Sequence, residues 1–205
     1  MMQRYLITQS LISSWNYFFD CREGCEDDAE EEFMRALRRE KDEPTEAMLN
    51  GIAFENAVYD QANGIPYTGE RWTEGVKAVS SLLIGAQFQV RLSRELQIGD
   101  MTFLVYGILD GLKAGTIYDV KFMNKSMASV DIYGKYLNSP QHSFYFYLVP
   151  EASMFKYLVS DGNDLYVEQY SRDDTRSICS IISEFVKYID SAGLLDLYKE
   201  KWEAK

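Results

Sequence analysis

Between Phe88 and Leu96 the chain alternates apolar and polar residues, "FQVRLSREL", the period of a half-buried strand. "MTFLVYGILDGL" and "TIYDVKF" continue in the same character and predict two further strands joined by the turn "KAG". Ahead of them the period is helical. "QSLISSWNYFFD" over 9–20 predicts an aromatic-rich helix. The acidic run "CREGCEDDAEEEF" and the basic "MRALRREKDE" predict a solvated helix or loop with internal ion pairs, ended by Pro44. Thr45 can cap a new helix, in which Met48, Ile52, Val58 and Tyr59 fall near helical spacing, ended by Gly64 and Pro66. "TEGVKAVSSLLIGAQ" predicts another helix. After the strands, a helix is expected from about Pro140 to Val149, with Pro140 in its first turn. "MFKYLVS" and "DLYVEQYS", joined by "DGN", predict a hairpin, and the tail from about 173 is helical with a break near Gly193.

This order predicts a single mixed α/β (α+β) domain over 1–205, a central mixed sheet flanked by helices. It carries an N-terminal helical elaboration over about 1–45 and C-terminal helices over about 173–205. Hydrophobic residues at 46% and aromatics at 14% place the chain among globular proteins. No apolar run approaches the roughly 20 residues that span a bilayer, and the first residues lack a signal-peptide core. A soluble, cytoplasmic protein without membrane contact is expected.

The net charge of −11 argues against a general nucleic-acid coat, although a carboxylate-rich enzyme with a local basic patch is compatible with it. Three cysteines, Cys21, Cys25 and Cys179, imply no disulfide framework and are one short of a four-thiolate cluster; idle or buried thiols are expected. A single histidine, His142, excludes three-histidine zinc sites and HExxH, and is expected at the surface or in a groove. Neither a Walker A nor a GxGxxG motif is present.

The chemistry concentrates in "GILDGLKAGTIYDVKF". Charged side chains near a core are costly unless paired or metal-bound. Asp119 and Lys121 are two apart on a strand and project from one face, with Asp110 on the neighbouring strand across a short turn. Two carboxylates supply hard oxygen ligands for Mg²⁺ or Mn²⁺, and a lysine can orient water or stabilise charge on a phosphoryl group. Lys113, Lys125 and Lys135 surround these strands and offer phosphate contacts. Tyr133, Tyr136, Phe144 and Tyr147 are expected mostly in the core, with one or two free to stack on bases.

"GILD" ending at Asp110, "DVK" at Asp119–Lys121, "QHSFY" with Gln141 and Tyr145, and upstream "GIAFENAVYD" with Gly51 and Glu55 stand in one order. In this the chain resembles the PD-(D/E)XK nuclease superfamily, in particular its RecB-like and phage-exonuclease-like branch. "SLISSWNYFFDC" is similar to the opening of many of its members. The resemblance implies a restriction-endonuclease-like core and metal-dependent DNA cleavage, exonucleolytic and of low sequence specificity, in recombination, repair or a phage setting. It implies Glu55, Asp110, Asp119 and the Val120 carbonyl as metal ligands. Lys121 would serve the attacking water, and Gln141 and Tyr145 would orient the lysine, the metal's waters or the phosphate. It does not extend to the iron–sulfur cluster of some relatives. A protein partner or a homo-oligomer is compatible with it. The alternative is a nuclease-fold module that binds nucleic acid or a protein without turnover; an intact acid–acid–lysine set favours an enzyme. A plain α/β domain with surface ion pairs would need Asp110 and Asp119 to lie far apart.

Overall fold

The computed structural model describes residues 3–41 and 43–204, so the expected domain limits at 1 and 205 lie outside the described residues. The strands are β1 (Arg4–Thr8), β2 (Gln87–Ile98), β3 (Met101–Lys113), β4 (Thr116–Phe122), β5 (Met154–Ser160) and β6 (Leu165–Ser171). The helices are α1 (Gln9–Asp20), α2 (Glu26–Arg38), α3 (Glu46–Ala62), α4 (Thr73–Leu83), α5 (Pro140–Leu148), α6 (Ile178–Ser191) and α7 (Leu195–Lys201). They form a mixed α/β architecture around one mixed sheet of six strands, consistent with a restriction-endonuclease-like core. Among the described residues no helix is long and apolar enough to cross a membrane.

Side-chain caps account for the starts of α1, α3 and α5. The Thr8 hydroxyl accepts from the Leu11 amide to start α1, and Thr45 accepts from Met48 to start α3. Ser139 caps α5, with Pro140 just inside it. In α2, Glu26, Asp27 and Asp28 occupy the first turn and Arg35 and Arg38 the last, matching the helix dipole. Its apolar positions Ala29, Phe33 and Leu37, four apart, are buried, so the charged segment is an amphipathic helix rather than a wholly solvated one. Ala114 and Gly115 both take left-handed backbone in the β3–β4 turn, as a two-residue hairpin requires.

β3 organises the sheet. Antiparallel β2 runs along one edge from Met101 to Leu112. The other edge is shared: β1 pairs in parallel with Thr102–Tyr106, and β4 pairs antiparallel only from Gly111 to Lys113. Neither strand pairs with 107–110 on that edge. β4 continues the sheet through parallel β5 and antiparallel β6.

Two apolar layers cover the faces. One holds Ile7, Leu11, Phe103, Leu109, Ile117, Phe144, Phe155 and Phe185, joining α1, α5 and α6 to the sheet. The other holds Phe54, Val58, Trp72, Val76, Leu83, Val120 and Leu158 beneath α3 and α4.

Three expectations change here. The N-terminal elaboration is not only helical, because "RYLIT" is β1, a strand inside the main sheet. Five residues carry too little period to declare themselves; the parallel partner β3 and the bond from the Leu6 amide to the Trp202 carbonyl hold them extended. Met48 and Ile52 lie outside the core of α3, 54% and 52% exposed, and its buried positions are Phe54, Val58 and Tyr59. His142 is not at the surface: it is 2% exposed, its Nδ1 is 3.2 Å from the Tyr157 hydroxyl, and it stacks on Tyr170. Of the four aromatics expected mostly in the core with one or two free, Phe144 is fully buried and Tyr133 is 81% exposed.

Candidate active site

The unpaired stretch of β3 is where polar chemistry gathers. Because β4 leaves β3 beyond Gly111 and Tyr118, the Val120 amide has no β3 carbonyl to bond. The Asp110 carboxylate takes its place, its Oδ2 accepting from Val120 N at 3.0 Å. The side chain of Asp110 thus fills the fork between the two strands.

α5 closes the fork from one face. The Tyr145 hydroxyl donates to the Ile108 carbonyl at 2.9 Å. Gly107 permits this approach, since a Cβ there would stand 2.8 Å from the Tyr145 ring. One turn earlier on α5, the Gln141 side-chain amide donates to Asp119 Oδ1. The Gln141–Tyr145 pair therefore holds Asp119 and the backbone of β3; neither reaches Lys121 through a direct bond here.

Asp119 is 1% exposed. The Lys121 ammonium stands 2.8 Å from its Oδ2, and the lysine side chain is 35% exposed. The buried Oδ2 is compensated by this ammonium alone. Burial pulls the Lys121 ammonium down, but Asp119 and then Asp110 outweigh it and hold it above the usual lysine range. It is a fixed cation at neutral pH.

Glu55 enters from α3. Its Oε1 accepts from the Tyr59 hydroxyl, one turn on, and from Gln89 Nε2 at 3.0 Å. Burial and Asp119 push its carboxyl up, against Tyr59, Lys121 and Gln89. Asp110 is pushed well above the usual carboxylate range, first by burial and then by Asp119 and Glu55. Burial, Asp110 and Glu55 keep the Tyr59 phenol protonated and able to donate.

Glu55, Asp110, Asp119 and Lys121 therefore share one electrostatic site, with three carboxylates facing one ammonium. Val120 contributes its amide to Asp110, and its side chain belongs to the layer under α3. Of the surrounding lysines, Lys113 donates to the Leu82 carbonyl at 3.3 Å and Lys135 lies over the Tyr136 ring.

Excess negative charge and oxygen-only side chains suit a hard divalent cation. As the side chains stand, among the described residues no three acidic, histidine or cysteine side chains are grouped closely enough to hold one ion. Asp119 is turned to Lys121 and Gln141, and Glu55 Oε1 to Tyr59 and Gln89. Ligation would draw Asp119 off Lys121, whereas the bonds of Glu55 to Tyr59 and Gln89 engage Oε1 and not Oε2. The three thiols are free cysteines: Cys21 and Cys25 are half-buried and Cys179 is exposed on α6.

Two residues of the site were not singled out from sequence. Tyr59 lies four residues after Glu55, a helical spacing that points to a shared face. Gln89 carries no such signal, because in an alternating strand it resembles any solvent-facing position.

Gly51 lies one turn before Glu55, and nothing stands within 4 Å of where its Cβ would be. A mid-helix glycine costs roughly 0.5–1 kcal/mol relative to alanine. Gly51→Ala is thus expected to raise Tm by a few degrees, read by thermal melting. A fall in Tm would show that the fold itself needs the glycine.

No family model matches this chain. No curated protein matches it. Two solved structures align with it over most of its length. One is SSO0001, with a TM-score of 0.47 at 11% identity, covering 96% of this chain and 75% of that one. The other is LHK-Exo in complex with dAMP, with a TM-score of 0.49 at 16% identity, covering 95% of this chain and 89% of that one. At these values neither likeness carries an argument about the site or its chemistry.

Proposed function

We propose that the chain is a divalent-metal-dependent nuclease that hydrolyses DNA phosphodiester bonds. The observation that supports this most is the buried Asp119 carboxylate with Lys121 at 2.8 Å, Asp110 and Glu55 sharing the same site. The exonucleolytic mode, the low sequence specificity and a recombination, repair or phage setting rest on the motif resemblance alone.

Glu55, Asp110, Asp119 and the Val120 carbonyl would hold Mg²⁺ or Mn²⁺. When bound, such an ion supplies Lewis-acid chemistry, polarising a phosphoryl oxygen and lowering the pKa of water. The chain's own residues do the rest. Gln141 fixes the rotamer of Asp119 through Oδ1. Asp110 bonds the Val120 amide and so sets the direction in which β4 leaves β3. Lys121, held charged by the carboxylates, offers its ammonium to the attacking water or to the negative charge that grows on the phosphoryl group. Being a cation, it orients and stabilises rather than accepting a proton.

The test is incubation of the purified chain with labelled double-stranded DNA, single-stranded DNA and RNA of one sequence, with Mg²⁺, with Mn²⁺ and with chelator. Divalent-dependent release of nucleotides from DNA is expected. DNA binding without cleavage under any cation would replace this reading with that of a non-catalytic binding module.

A further inference from the structure

Gln89 is one of three non-glycine residues with left-handed backbone, φ 52°, among the described residues, and it lies inside β2 rather than in a turn or cap. Side chains are disfavoured there because Cβ crowds the backbone. The β2–β3 register passes from Phe88–Gly111 to Val90–Leu109, so Gln89 faces Asp110 and the pair between them is missing. A local twist of this kind could be made by glycine without steric penalty. The side chain kept at this costly position makes two bonds. Its Nε2 donates to Glu55 Oε1 at 3.0 Å and lies 3.2 Å from the Tyr59 hydroxyl. Tyr59 donates to the same Oε1. Glu55 Oε1 is thus gripped from β2 and from its own helix, and these bonds leave Oε2 free.

We infer that Gln89 is a positioning residue: the left-handed turn in β2 aims its amide at Glu55 and holds that carboxylate in the orientation in which it serves the acidic site. This rests on the reading of Glu55 as a metal ligand. Groups that orient metal-binding carboxylates without touching the metal act on affinity, and their loss costs about 10- to 100-fold. Glycine relieves the backbone while deleting the amide. Asparagine tolerates left-handed backbone but is one methylene shorter.

The experiment compares wild type, Gln89→Gly, Gln89→Asn and Glu55→Gln. It uses Mn²⁺ titration by calorimetry without DNA, thermal melting, and cleavage. Gln89→Gly is expected to stay folded by thermal melting, relief of the backbone offsetting the lost bonds, yet to bind Mn²⁺ about tenfold or more weakly and to cleave correspondingly less. Gln89→Asn should share the loss in Mn²⁺ affinity. Unchanged affinity in Gln89→Gly, with Glu55→Gln weakened, would overturn the inference and leave the metal-site reading standing. Wild type that binds no Mn²⁺ overturns both readings.

Discussion

Replacing Lys121 by alanine is expected to lower DNA cleavage by about a hundredfold or more, the scale of losing one preorganised electrostatic donor, while the cation still binds. The ammonium is 2.8 Å from Asp119 Oδ2 and is held charged by Asp119 and Asp110. It therefore competes with a bound cation for the same carboxylates, and its removal should leave Mn²⁺ affinity equal or tighter. Without metal the variant should melt lower than wild type, because buried Asp119 loses its counter-charge. Saturating Mn²⁺ should stabilise both proteins by mass action and narrow that gap to the extent that the variant binds it more tightly. Calorimetry, thermal melting with and without Mn²⁺, and cleavage of labelled duplex and single strand measure the three quantities. Full activity in Lys121→Ala would sink the assigned role. Loss of Mn²⁺ binding together with activity would mean that the lysine organises the site rather than acting on water or phosphate.

Asp110→Asn should abolish cleavage and at the same time make the metal-free protein more stable at neutral pH. Burial, then Asp119 and Glu55, raise the Asp110 carboxyl well above its usual range. Its unfolded value is about 3.9. For a group raised in the folded state, the stabilising contribution is complete below the unfolded value and is lost as pH rises through the folded one. Metal-free wild type should therefore lose Tm progressively on going from about pH 4 upward through that raised value, and carry the whole penalty once Asp110 is ionised. Asparagine keeps an oxygen that can accept the Val120 amide, so the strand fork survives while the like-charge repulsion disappears. The variant's Tm should exceed that of wild type without divalent cation, and Mn²⁺ should stabilise it less. Melting curves across pH, with Mn²⁺ and with chelator, test this. An Asp110→Asn protein that is less stable at neutral pH without metal would show that the ionised carboxylate holds the fold together, contrary to a site that gives up stability for chemistry.

Much of the frame is local and was legible. Pro140 announces the start of α5, Thr45 that of α3, and the alternation in "FQVRLSREL" a strand, because caps and periods depend only on neighbours a few residues away. The two-residue spacing of Asp119 and Lys121 already puts them on one face of β4. The depth and grouping of the site were not legible. Asp110 meets Asp119 only because β1 and β4 share one edge of β3 and leave 107–110 unpaired, a consequence of pairing across distant parts of the chain. β1 itself exists as a strand only against β3. Exposure on α3 is not readable from its period, because Met48 and Ile52 have helical spacing yet stand more than half exposed. His142 was misplaced because a lone polar residue shows no sign of the tyrosines that enclose it. Gln89 was invisible for the same reason: its left-handed turn and its grip on Glu55 arise where β2 passes α3, and a residue's neighbours in space do not appear in its neighbours along the chain.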